Sequence, residues 1–112
     1  ECIDVSRAAG IRMASVQGKD IAALLDYHGP VKKLISFLVI PIAIKKHAAL
    51  KASMLQDLEK GKRTEVDAIN GQVCRLGKAH GVATPYNDTV VRLIHEMEMG
   101  KRHPGMENLT AF

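Results

Sequence analysis

Aromatic side chains are scarce in this sequence of 112 residues, which contains no tryptophan, two tyrosines and two phenylalanines. Proteins that bind single-stranded nucleic acid stack bases on aromatic rings, and few rings are present here. Sixteen lysines and arginines against twelve acidic residues give a net charge of +4, but they are scattered along the chain. The sequence therefore disfavours nucleic acid as a partner. It predicts one small domain with an aliphatic core.

Cysteine is also rare, and a metal or redox motif is missing. Cys2 and Cys74 are far apart and fit no metal-binding or redox spacing. We therefore expect two reduced thiols, as is usual for a cytosolic protein, and no bound metal.

No hydrophobic run is long enough to cross a membrane. The longest, residues 34–44, contains Ser36 and Pro41 and has about half of the roughly 20 residues that a membrane-spanning helix needs. Nor does the beginning of the sequence resemble a signal peptide. We expect a cytoplasmic protein without a membrane partner, in which this run is a buried helix.

Apolar residues recur at helical spacing along most of the chain, which predicts an all-α bundle of about five or six helices in a single domain, residues 1–112. The first nine residues are predicted to end a helix that stops at Gly10. Short helices are predicted at residues 19–27 and after Pro30, with a kink at Pro41. A strand at residues 37–44 is the competing interpretation.

The second half of the chain carries clearer helix signals. Helices are predicted at residues 42–60, 64–80 and 85–99, before an irregular tail at residues 100–112. Thr64 and Thr84 are the expected N-caps of the last two helices, and Gly81 ends the first of that pair. Gly77 lies on its apolar face, where the missing side chain would let a neighbouring helix approach closely.

Three short motifs resemble those of a known family. SMLQD at residues 53–57 is followed, after a short basic link, by TEVDAING at residues 64–71, and then by GVATPYN at residues 81–87. In this order and spacing they closely resemble the C-terminal domain of the ketopantoate reductases, also called 2-dehydropantoate 2-reductases. The resemblance implies the helical fold of that domain, which is 6-phosphogluconate dehydrogenase C-terminal-like.

The resemblance also implies a reaction. In this family NADPH gives a hydride to the C2 ketone of ketopantoate, and pantoate is formed for pantothenate and coenzyme A synthesis. The family's Gly-rich dinucleotide-binding turn and its K-x-x-x-N helix, which carries the catalytic lysine, have no match in this sequence. We therefore expect the C-terminal part of a longer enzyme, inactive alone, with NADPH (NADP) bound mainly by a missing N-terminal Rossmann domain.

Six residues match the family's site positions: Ser53, Met54 and Gln56 for the substrate, Glu65 for the cofactor side, and Asp57 and Asn70 as supporting groups. The resemblance assigns no catalytic residue within this chain. Without it, Ser53 is explained as a mid-helix serine bonded to a carbonyl one turn earlier. Glu65 is then a first-turn acid stabilised by the helix dipole. We interpret Asp57 and Asn70 first as polar groups that fix helix packing.

Two other functions remain open. The run at residues 34–44 is more apolar than a small domain easily buries, which favours a helical dimerisation module and makes a homodimer a candidate assembly. A domain of the same family that acts on another 2-keto acid is the second alternative, because the motifs do not define the substrate. The expected partners are a small 2-keto acid and the protein's own Rossmann domain.

Overall fold

A computed structural model describes residues 1–14, 34 and 52–112. The chain divides into two compact units, one made of Glu1–Ala9 with Lys51–Phe112, the other of Gly10–Leu50. Of the second unit, only residues 10–14 and Leu34 are described, and Leu34 is helical. The predictions for residues 19–27, for the kink at Pro41 and for the alternative strand at residues 37–44 lie outside the described residues.

Five helices and no strand make up the described part of the first unit. In chain order they are α1 (Cys2–Ala8), α2 (Ser53–Glu59), α3 (Val66–His80), α4 (Pro85–Glu98) and the 3-10 helix η1 (Met106–Ala111). The all-α prediction is confirmed.

The tail predicted to be irregular contains η1 instead. Its turn is held by the buried side chain of Asn108, whose Nδ2 donates to the carbonyls of His103 and Gly105, each at 2.9 Å. Arg102 donates to the Oδ1 of the same side chain at 3.0 Å. One asparagine therefore organises a segment whose composition alone indicates a loop.

The helix α3 lies at the centre of this unit, packed against both α4 and α1. Its Val66 and Val5 of α1 are fully buried, and Leu93 of α4 is buried as well. Ile69, predicted on the same buried face, is 50% exposed. It lies about 60° around the helix from Val66, at the edge of the buried arc.

Contacts at both ends of α3 show that it runs antiparallel to α4. Just before α3, the backbone N–H of Thr64 donates to Glu98 Oε1 at 2.7 Å. Near its other end, a Cβ on the buried Gly77 would lie 2.7 Å from both Thr84 Cγ2 and the Val82 carbonyl oxygen, and 3.4 Å from Val5 Cγ2. The crowding predicted at Gly77 is present, but its tightest contacts come from the loop at residues 82–84, whereas the helix α1 approaches only to 3.4 Å, through Val5.

The end of α3 and the start of α4 differ in how well the sequence predicts them. Gly81, at φ 69°, ends α3 as predicted, and the N–H of Val82 bonds to the Gly77 carbonyl at 2.8 Å. Thr84 is the N-cap residue of α4, but its hydroxyl donates to Asp88 Oδ2 at 3.2 Å and caps no backbone N–H. The first N–H groups of α4 find their acceptor on the side chain of the first residue of the chain instead.

The helix α2 starts later than predicted. Ala52 has an extended backbone, φ −59° and ψ 140°, and its carbonyl accepts the N–H of Gln56 at 3.2 Å. A single helix over residues 42–60, as predicted, therefore does not run through Ala52, and Ser53 is the first residue of α2. Serine suits this position better than a helix interior, where its hydroxyl competes for backbone hydrogen bonds.

Candidate functional site

Ser53 presents its hydroxyl at the first turn of α2. The residue is exposed, and within the part of the chain that the structure describes its hydroxyl has no hydrogen-bond partner. The alternative explanation, a bond to a carbonyl one helical turn earlier, fails because Ala52 already lies outside the helix. The hydroxyl is therefore available to a ligand.

The other predicted residues of α2, Met54, Gln56 and Asp57, are half-buried. The carbonyl of Asp57 accepts the N–H groups of Lys60 at 3.1 Å and Lys62 at 2.8 Å. These bonds, with Gly61 at φ 65°, turn the chain into a link of residues 60–65 that leads to α3. The substrate contacts assigned to Met54 and Gln56 stay a prediction.

Glu65 stands immediately before α3 as its N-cap residue and is exposed. Its carbonyl accepts the N–H groups of Ala68 and Ile69 at 3.0 Å each, but its carboxylate makes no capping bond. The hydroxyl of Thr64 accepts the N–H of Val66 at 3.3 Å instead. Among the described residues, the Glu65 carboxylate is therefore not committed to the helix start.

The helix α4 holds the segment that carries Glu65. The bond from the Thr64 N–H lowers the pKa of Glu98 below its ordinary value of 4.5, and a protonated His95 and Arg63 act in the same direction. His95 Nε2 in turn lies 3.1 Å from Asp67 Oδ1, a close approach that lacks hydrogen-bond geometry. These contacts fix the beginning of α3 against the end of α4.

Asn70 belongs to a series of hydrogen bonds that joins three helices. Its Nδ2 donates to Asn87 Oδ1 at 2.9 Å, and the Nδ2 of the buried Asn87 donates to Glu1 Oε2. The Glu1 carboxylate also accepts the backbone N–H groups of Tyr86 at 2.7 Å and Asn87 at 2.9 Å, which caps α4. Asn70 thus contributes a packing contact.

Sequence reasoning missed Glu1 and the role of Asn87. Nothing in the local sequence links Glu1 to a residue 86 positions later. Asn87 stands in the GVATPYN motif, three residues after Thr84, and a polar residue on the inner face of α4 was the signal that could have found it.

An open cleft of about 700 Å³ runs between α3 and α4. Its lining mixes Asp88 and Glu96 with Arg92 and Lys101, and Glu96 Oε1 pairs with Arg92 at 2.9 Å. A second cleft, of about 560 Å³, shares Asp88 and holds Lys78. Neither cleft is lined by Ser53 or Glu65.

Both described cysteines are free thiols. Cys2 is exposed, whereas Cys74 lines both clefts. Burial raises the pKa of the Cys74 thiol, and the neighbouring carboxylate of Asp88 raises it further. Within residues 1–14, 34 and 52–112, no three His, Cys, Asp or Glu side chains are grouped as metal ligands.

Ser53 and Glu65 stand at the starts of two successive helices: Ser53 is the first residue of α2, and Glu65 is the N-cap residue of α3. Between them lie the link and α2, which has seven residues and is about 10 Å long. Both residues are exposed. Among the described residues they present two polar side chains at the surface.

Residues 1–98 match the family described as ketopantoate reductase PanE/ApbA C terminal. The chain belongs to this family. The matched residues include α1 to α4 and all six predicted site positions. The resemblance carried by the three motifs is thus confirmed as membership of the ketopantoate reductase C-terminal family, whose domain is helical.

Three relatives named 2-dehydropantoate 2-reductase show the extent of the similarity. The protein of Archaeoglobus fulgidus is 46% identical over 50 residues, which are 45% of this chain and 17% of the relative. That of Lactococcus lactis is 55% identical over 47 residues, 41% of this chain and 15% of the relative. That of Yersinia pestis is 32% identical over 82 residues, which are 70% of this chain and 26% of the relative. No solved structure gives a significant match.

The aligned parts span 15% to 26% of these three relatives. In the described part of the chain, no helix has the length and hydrophobicity to cross a membrane. The run at residues 34–44, from which a dimerisation module was predicted, lies outside the described residues except for Leu34. The homodimer stays a prediction.

Proposed function

We propose that this chain is the substrate-binding domain of an NADPH-dependent 2-dehydropantoate 2-reductase, a cytoplasmic enzyme that reduces ketopantoate to pantoate. One observation carries the proposal: the family's site motifs begin α2 and α3, where Ser53 and Glu65 are exposed. Neither side chain has a hydrogen-bond partner among the described residues. Exposed polar groups without a structural partner can be used for binding.

In this proposal Ser53 binds the substrate. Its hydroxyl can donate to a carboxylate oxygen or to the ketone oxygen of the keto acid, and it can also accept a hydrogen bond. Because Ser53 is the first residue of α2, the helix fixes the position of its Cα. The short side chain then determines the direction of the hydrogen bond between the hydroxyl and the substrate. Met54 and Gln56 add contacts from the same helix.

Glu65 serves the cofactor side of the site. Among the described residues we assign NADPH a single contact, with Glu65. The sequence has no G-x-G-x-x-G turn to bind the phosphates of NADPH, and in the larger cleft the carboxylates of Asp88 and Glu96 lie beside the cationic side chains. The remaining contacts would come from the Rossmann domain. When bound, NADPH supplies the hydride, and this chain contributes an uncommitted carboxylate that can hold a proton or accept a hydrogen bond.

Asp57 and Asn70 support the site from behind. The carbonyl of Asp57 shapes the link toward Glu65, and Asn70 ties α3 to α4 through Asn87. Both act on the position of the two helix starts, so their replacement changes the site through the backbone.

The test uses the full-length protein that contains this chain, with NADPH oxidation followed on a panel of 2-keto acids. Ketopantoate should give the highest kcat/KM. 2-Ketoisovalerate, which lacks only the hydroxymethyl group, is the matched control and should be slower by about tenfold or more. The 112-residue chain alone should be inactive and bind NADPH only in about the millimolar range. No turnover with any 2-keto acid would contradict the proposal, and a preference for another one would favour the alternative substrate.

A further inference from the structure

The link of residues 60–65 is tied to the last turn of α4. The N–H of Thr64 donates to Glu98 Oε1 at 2.7 Å. This hydrogen bond is partly buried and joins residues that are 34 positions apart in the sequence. A bond between a backbone N–H and an ionised carboxylate is stronger than one between neutral groups. Among the described residues of the link, this bond reaches another helix, whereas Lys60, Gly61 and Lys62 bond back to carbonyls of α2.

Glu65 directly follows the residue that Glu98 holds. On its other side, its carbonyl bonds to the N–H groups of Ala68 and Ile69 at the start of α3. The backbone of Glu65 is thus fixed on both sides while its carboxylate remains exposed. Two further features lie at this end of α3: Val66 is fully buried, and Asp67 Oδ1 lies 3.1 Å from His95 Nε2 of α4.

We propose that Glu98 is a positioning residue for Glu65. Its carboxylate holds the Thr64 N–H and thereby sets the backbone direction from which the Glu65 carboxylate reaches the cofactor side of the site. Glu98 acts through this bond and does not itself contact the ligand. The inference rests on the proposed function, because it assigns a task to Glu65.

A double-mutant cycle in the full-length enzyme tests this coupling. Glu98→Ala should lower kcat about tenfold, because a displacement of about 1 Å can cost that much or more. In the Glu65→Ala background the same change should lower kcat by no more than about twofold, because the group being positioned is gone. Glu98→Gln keeps an acceptor oxygen and should recover most of the activity.

Glu96→Ala is the matched control. Glu96 lies on the same helix but pairs with Arg92 and with Arg102, at 2.9 and 2.7 Å. Its replacement should change kcat equally with and without Glu65. Equal losses from Glu98→Ala in both backgrounds of an active enzyme would overturn the inference and leave the proposed function intact.

Hydrogen exchange of the Thr64 amide gives a second readout that needs no activity. Exchange should be at least about tenfold faster in Glu98→Ala and close to wild type in Glu98→Gln, while the Gly77 amide in α3 is unchanged. If the alanine variant does not fold, the wild-type protein gives the readout, and a Thr64 amide that exchanges there as fast as in an unfolded chain would overturn the inference. Unchanged exchange at Thr64 would overturn the inference. A wild-type protein that reduces no 2-keto acid would instead contradict the proposed function, even with the Thr64 amide protected.

Discussion

The carboxylate of Glu1 caps a helix that begins at Pro85: it accepts the backbone N–H of Asn87 at 2.9 Å and a second bond from the Asn87 side-chain amide. The contact joins α1 to α4 across 86 residues. An acidic group at a helix N-terminus is stabilised both by these bonds and by the helix dipole. Asn87 also bonds to Asn70, so a single buried side chain connects α1, α3 and α4.

Two substitutions of Asn87 should distinguish the effect of its side-chain bond to Asn70 from that of its side-chain bond to Glu1. Asn87→Ala removes both and leaves the half-buried Asn70 amide without this acceptor, which should lower the free energy of unfolding by about 1–3 kcal/mol. Asn87→Asp keeps the acceptor for Asn70 but places a second carboxylate against Glu1. Denaturant unfolding at pH 7 should show that Asn87→Asp is at least as damaging as the alanine variant. An aspartate variant as stable as the wild type would contradict the contact with Glu1.

The two glycines inside α3 should respond to alanine in opposite directions. A Cβ at Gly77 would lie 2.7 Å from the Val82 carbonyl oxygen, so Gly77→Ala should lower stability by about 1–3 kcal/mol, and Gly77→Leu by at least as much. At Gly71 the nearest atoms lie 3.6 Å or more away, and Gly71→Ala should raise stability by up to about 1 kcal/mol through helix propensity. Thermal melts of the two variants provide the check. A Gly77 variant that melts above the parent would refute the close approach.

Local sequence signals predict where the helices of this unit begin and end better than they predict the contacts between those helices. The periodicity of residues 64–99 and the stops at Gly81 and Pro85 place α3 and α4 within two residues of their observed ends. The break before Ser53, the capping by Glu1 and the helix η1 were not predicted. Each depends on backbone conformation or partners beyond the local helical pattern. Site assignment came from the three motifs, because periodicity distinguishes buried from exposed positions but not a binding serine from a structural one.

Acid should weaken the protein partly through Glu98. Its carboxyl has a pKa lowered by the Thr64 N–H bond in the folded chain, against an ordinary value of 4.5. The stabilisation is therefore present above pH 4.5 and is lost as the pH falls through the lower folded pKa. Urea unfolding of Glu98→Gln should show a deficit against wild type at pH 7 that shrinks below pH 4.5. A stability difference between Glu98→Gln and the wild type that stays constant down to pH 3 would show that it does not come from the ionised Glu98 carboxylate.

The two thiols should react with alkylating reagents at different rates. Cys2 is exposed, whereas burial and the carboxylate of Asp88 raise the pKa of Cys74, so less of it is thiolate at pH 8. Iodoacetamide labelling followed by peptide mass mapping should modify Cys2 first. Asp88→Asn should speed the labelling of Cys74 and leave Cys2 unaffected. A Cys74 that labels faster than Cys2 in the folded protein would contradict this arrangement.

Steady-state kinetics of two site variants in the full-length enzyme test the proposed function most directly. Ser53→Ala should lower kcat/KM for ketopantoate by about ten- to a hundredfold with unchanged NADPH affinity, because it leaves a polar group of the substrate unpaired. Glu65→Ala should instead change kcat or NADPH affinity and shift the pH profile. Thr110→Ala is the control, since among the described residues that hydroxyl bonds only to the nearby Glu107 carbonyl, at 2.8 Å. The decisive measurement is kcat/KM for ketopantoate at saturating NADPH in Ser53→Ala: a loss of about tenfold or more, with a normal melting curve, is the predicted result, and a value equal to wild type would contradict the assignment of Ser53 to the substrate.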